Sequence, residues 1–91
     1  SIGDFQPATF RSFLDGKSLH FYNLTMEDIA SELERRFGVR IVVMDRKLSH
    51  TRFFSIFNNN ESLDRILQAM SAGGRMSVRR VDGDYRLYST K

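Results

Sequence analysis

At 91 residues the chain has room for one small domain. Hydrophobic residues make up 41% and charged residues 27%, ordinary for a globular fold and contrary to disorder. The lack of cysteine excludes disulfides, zinc ribbons and thiol catalysis.

Lysine and arginine number 14 against 11 acids, a net charge of +3. The two signs are interspersed, as in Glu32-Leu33-Glu34-Arg35-Arg36, and no block of like charge marks a nucleic-acid or membrane tail. No apolar run approaches the roughly 18–20 residues that cross a bilayer. No signal peptide opens the chain, and its abrupt start at Ser1 reads as the cut edge of a longer protein.

In chain order, residues 1–12, with Gly3 and Pro7, read as a connector from an upstream region, and residues 13–91 as the domain. Asp15-Gly16 suits a turn between strands over Thr9–Leu14 and Ser18–Tyr22. Thr25 is a good helix N-cap, with Glu27 and Asp28 in the first turn, where the helix dipole favours acids. Met26, Ile29, Ala30, Leu33 and Phe37 then form an apolar helical stripe, and Gly38 stops the helix. Val39–Met44 is β-branched and reads as a strand, and Asp45–Thr51 as a joining segment. Arg52–Asn58 reads as the next strand. Ser62 caps a second helix with the stripe Leu63, Ile66, Leu67 and Met70, closed by Ala72-Gly73-Gly74. Arg75–Val81 and Tyr85–Ser89 form a final hairpin through Asp82-Gly83.

The two helices superpose at one offset, 62 − 25 = 37, which matches Met26 with Leu63, Ile29 with Ile66, Leu33 with Met70 and, beyond the helices, Ile41 with Val78. The expected fold is therefore α+β: a duplicated β-α-β unit, β-α-β-β-α-β plus a C-terminal hairpin strand, with two helices packed on small sheets. One unit cannot bury its helix stripe alone, whereas two can share a core.

No constellation for catalysis, metal or cofactor is present. His20 and His50 stand far apart in a chain with no cysteine, the serines lack a nucleophile elbow, and there is no phosphate-binding glycine loop. The order β-α-β-β-α-β is shared with an RNA-binding module whose third strand stacks bases on aromatic side chains. That strand requires a glycine after its first basic residue, and Phe53 fills the position after Arg52. Nucleic acid is therefore not the expected partner. Within Arg52–Asn58, Phe53, Ser55 and Phe57 point to one face and Phe54, Ile56 and Asn58 to the other. If the second face is only lightly covered, Phe54 and Ile56 form an apolar patch of the kind that marks a partner site.

The run "LHFYNLTMEDIASELERRFGVRIVV" (residues 19–43) resembles the C-terminal domain of FecR-like anti-sigma factors, in the Bacteroidetes style. The matching residues are Phe21, Asn23, Thr25, Ile29, Leu33-Glu34-Arg35, Phe37, Gly38, Val39 and Ile41. Arg52, Phe53 and Phe57 match the family's "R-F-T-G-x-F" strand, with Phe54 and Ser55 in place of its small pair. "SLDRIL" (residues 62–67) and Phe13-Leu14-Asp15-Gly16-Lys17 are also similar.

The resemblance implies a design akin to the secretin/TonB short N-terminal domain, and a role in protein–protein recognition without catalysis. It implies a periplasmic domain of a single-pass inner-membrane protein. The expected partner is the N-terminal signalling domain of an outer-membrane TonB-dependent transducer. An extracytoplasmic-function sigma factor would be reached only through a segment outside this chain. A secretin or TonB-receptor N-terminal domain proper, and an RNA-binding module, are the alternatives. Strand addition supplies affinity through main-chain hydrogen bonds. The residues expected to bind the partner are Phe54, Ile56, Tyr85 and Tyr88, with Arg79 and Arg86 as rim charges.

Overall fold

The computed structural model describes residues 12–14 and 18–90. The anticipated connector up to residue 11 and the Asp15-Gly16 turn lie outside the described residues; Ser12, the last residue of that connector, opens the first strand. The elements in order are β1 (Ser12–Leu14), β2 (Ser18–Thr25), α1 (Met26–Phe37), β3 (Ile41–Val43), α2 (Arg46–Ser49), β4 (Arg52–Asn58), α3 (Leu63–Ser71), β5 (Met76–Val81) and β6 (Asp84–Ser89).

These form two three-stranded sheets, ordered β1-β2-β4 and β3-β6-β5. The first is antiparallel throughout. In the second, β3 runs parallel to β6 and β5 antiparallel to it. Each β-α-β unit therefore divides its strands between the sheets: β2 and β4 are neighbours in one, while β3 and β5 flank β6 in the other. The repeat is visible in the register. Val42 and Arg79, related by the offset of 37, both lie opposite Arg86.

The helix ends follow the sequence. The Thr25 hydroxyl accepts from the Asp28 amide at 3.2 Å, and the Ser62 hydroxyl from that of Arg65, also at 3.2 Å. Gly38 adopts φ 67°, a left-handed conformation that glycine takes without Cβ strain, and its N–H donates to the Glu34 carbonyl. The Glu34 carboxylate then accepts from the Ile41 amide at 2.8 Å, steering the chain from α1 into β3.

Two features differ from the expectation. β2 runs on to Thr25 because Asn23, at φ 58°, forms a bulge between Tyr22 and Leu24. The bulge returns Leu24 to the buried face after Leu19 and Phe21. The joining segment contains the single helical turn α2, capped by Asp45, which buries Leu48 completely.

One core collects the inner faces of both sheets and the helix stripes: Phe21, Met26, Ile29, Leu33, Ile66, Leu67, Met76 and Leu87 are all essentially inaccessible.

Candidate interaction surface

A pleated strand must send alternate side chains to opposite faces. In β2, Leu19 and Phe21 go to the core, so His20 and Tyr22 go to the far side. In β4, Phe53 goes inward and Phe57 packs against the core, so Phe54 and Ile56 go outward. Phe54 is 71% exposed and Ile56 53%. The register sets His20 against Ile56 and Tyr22 against Phe54. The Tyr22 and Phe54 rings lie 4.9 Å apart, and His20 meets Tyr22 edge-on at 5.2 Å, with its Nδ1 within hydrogen-bond reach of the phenol oxygen. The result is an apolar, aromatic patch on the outer face of the first sheet, along β4, the edge strand among the described residues.

Arg79, Arg86 and Tyr88 are elsewhere, on the outer face of the second sheet. Arg79 and Arg86 are register partners, and the Arg79 guanidinium lies 5.8 Å from the centre of the Tyr88 ring. The structure thus does not bring the six expected residues together.

Tyr85 lies on neither outer face but on the inner side of the second sheet. It is only 6% exposed, because the alternation of β6 points Tyr85 and Leu87 into the core while Arg86 and Tyr88 face out. Its hydroxyl donates to the Asp64 carboxylate at 2.6 Å, and Arg80 covers its ring at 4.1 Å. The hydrogen bond to Asp64, together with burial, raises its pKa above the usual tyrosine value.

Tyr22 and His20 were missed as members of the first patch, although the alternation in Leu19-His20-Phe21-Tyr22 carries the signal. Met44, 41% exposed just after β3, was also missed. Its amide continues the β3–β6 ladder by donating to the Leu87 carbonyl.

A groove of about 450 Å³ opens between α3 and β5, floored by Leu67, Met76, Val78 and Tyr85 and rimmed by Asp64 and Arg80. Among the described residues no cluster of three or more histidine, aspartate or glutamate side chains could hold a metal ion. His50 turns its ring back to the Arg46 carbonyl at 2.9 Å. No helix among the described residues is long and apolar enough to cross a membrane. The single sheet on which an RNA-binding module stacks bases is not formed, since the strands split into two sheets.

Comparison with known proteins agrees with this architecture. No curated protein matches the chain. Two crystal structures, at 1.65 Å and 2.50 Å, of a candidate anti-sigma factor from Parabacteroides distasonis ATCC 8503 share the fold. They superpose with TM-scores of 0.72 and 0.71 at 21% and 22% sequence identity. Each match covers 92% of this chain and 37% of the other, so the chain corresponds to a little over a third of those proteins. The family model described as FecR, C-terminal, matches residues 18–87. That span is most of the chain and includes all three helices, β2 to β5 and β6 as far as Leu87: the chain belongs to the FecR C-terminal domain family.

Proposed function

We propose that this domain is the signal-receiving module of a transmembrane anti-sigma factor. It lies in the periplasm and recognises the N-terminal signalling domain of an outer-membrane TonB-dependent transducer. Through the rest of its protein, it regulates an extracytoplasmic-function sigma factor. The observation that carries this reading is the pair Phe54 and Ile56, exposed together on the outer sheet face along β4, the edge strand of its sheet among the described residues, in a chain of the FecR family. Large apolar side chains held in water by a rigid strand cost free energy that a partner recovers. Family membership favours the anti-sigma side of the pair over the transducer's own signalling domain.

The test is titration calorimetry with the signalling domain of the transducer encoded beside the full-length gene. Phe54→Ser and Ile56→Ser should each weaken binding by about tenfold or more, as truncation of an interface anchor does. Unchanged affinity in both folded variants sinks the reading.

A further inference from the structure

The second sheet carries a different surface, built on β5. Among the described residues that strand is paired on one side only, by β6, so its other edge presents main-chain donors and acceptors to which no described strand bonds. The two flanks of this edge have opposite chemistry. On the inner side lies the groove between α3 and β5, with Leu67, Met76, Val78 and Tyr85 as an apolar floor. On the outer side lie Arg79 and Arg86, directly opposite one another. Like charges in register repel and destabilise a sheet.

Other arginines nearby are satisfied: Arg40 reaches Asp84 at 3.6 Å, and Arg80 lies over the Tyr85 ring. Arg79 and Arg86 make no ion pair among the described residues. The Arg79 guanidinium lies 5.8 Å from the centre of the Tyr88 ring, and Arg79 is exposed.

We infer that the β5 edge accepts an extended, acidic segment of a partner protein as a fourth strand. The segment alternates apolar and carboxylate side chains. Its apolar residues enter the groove, its carboxylates meet Arg79 and Arg86, and its backbone completes the ladder. The charge pattern selects this occupant. A second copy docking β5 against β5 would bring the neighbouring arginines of that strand, Arg79 and Arg80, towards their own kind. A nucleic acid would need a longer track of cations than two guanidiniums flanked by Val42 and Val81. This surface is separate from the Phe54 patch, so the two readings stand or fall independently.

The experiment is a titration of the isotope-labelled 91-residue chain, followed by NMR at low salt. Four probes are used: an eight-residue peptide alternating glutamate and valine, the same peptide with lysine for glutamate, the acidic peptide with proline at alternate positions, and a single-stranded oligonucleotide. The acidic peptide should shift the amides of β5 and slow their hydrogen exchange. Its affinity should fall with salt, and by about tenfold in Arg79→Gln/Arg86→Gln, whose own spectrum should keep the dispersion of the folded domain. Phe54→Ser should leave this binding unchanged. The lysine and proline peptides should fail, the second because proline cannot donate to the ladder. The inference is overturned if the acidic peptide leaves β5 unperturbed, if the lysine peptide binds equally, or if the oligonucleotide binds the same face more tightly.

Discussion

Tyr22 and Phe54 face each other across β2 and β4 with their rings 4.9 Å apart, on the side of the sheet that looks away from the core. Two aromatic side chains in tilted contact at the surface hold each other in place. They turn what would be two mobile side chains into one rigid apolar platform. Phe54, next to buried Phe53 in sequence, is thus tied to the surface and not to the interior.

The contrast between these neighbours is a direct test. Phe53 is 6% exposed and carries the Arg75 guanidinium 4.4 Å from its ring centre. Phe53→Ala should cost about 3–5 kcal/mol in urea unfolding. Phe54→Ser should cost about 1 kcal/mol or less, because it removes one exposed cross-strand pair. Similar losses at both positions would mean that β4 is covered on both faces.

Gly38 ends α1 at a positive φ of 67°, with open space where a Cβ would stand. The cost of a side chain there is one of conformation and not of packing. Gly38→Ala should destabilise the domain by about 1–2 kcal/mol, and Gly38→Asn by less, since asparagine tolerates the left-handed region. Thermal unfolding of the two variants should rank them in that order.

Asp45 joins three elements. One carboxylate oxygen accepts from the Leu48 amide at 2.8 Å and caps α2, while the other accepts from the Ser89 amide, also at 2.8 Å, at the end of β6. These hydrogen bonds, that of Ser89 first, hold its pKa below the ordinary 3.8. The unfolded chain therefore takes up this proton at a higher pH than the folded one. The stabilisation is present above the ordinary value and is lost as pH falls through the lower, folded value. In denaturant titrations between about pH 2 and 6, Asp45→Asn should be less stable than the wild type at the upper end. It should also show a shallower loss towards acid.

Tyr85 gives the opposite sign at alkaline pH. Its phenol donates to Asp64 and its pKa is raised above 10.0. The protonated form is favoured by folding, so the contribution is complete below the ordinary value and is lost as pH rises through the folded one. Tyr85→Phe should cost about 1 kcal/mol at neutral pH, the net value of one hydrogen bond, and should remove this part of the alkaline decline. Stability equal to that of the wild type up to alkaline pH would mean that the hydrogen bond contributes nothing.

Much of the fold is legible in the chain because its signals are local. Thr25 and Ser62 cap helices through hydrogen bonds to amides three residues away, and the apolar stripes at helical spacing face the core as their period requires. The alternation of Arg52–Asn58 likewise separates Phe53 and Phe57 from Phe54 and Ile56. The side to which Tyr85 points is not legible in the same way, because alternation does not say which face of the last strand meets α3. The bulge at Asn23 and the turn α2 were missed for a related reason. The bulge shifts the strand register so that Leu24 turns inward, and α2 carries Leu48 into a core assembled from distant segments.

The sequence by itself determined the two capped helices, the strands around them, the repeat at an offset of 37 and the family to which the chain belongs. Only the tertiary structure decided that each β-α-β unit would divide its strands between two sheets, with β6 between β3 and β5. Strand pairing joins residues far apart in the chain, and which edges stay open depends on how both units share one core. The two candidate surfaces, the aromatic platform at Phe54 and the cationic edge at Arg79, are consequences of that division.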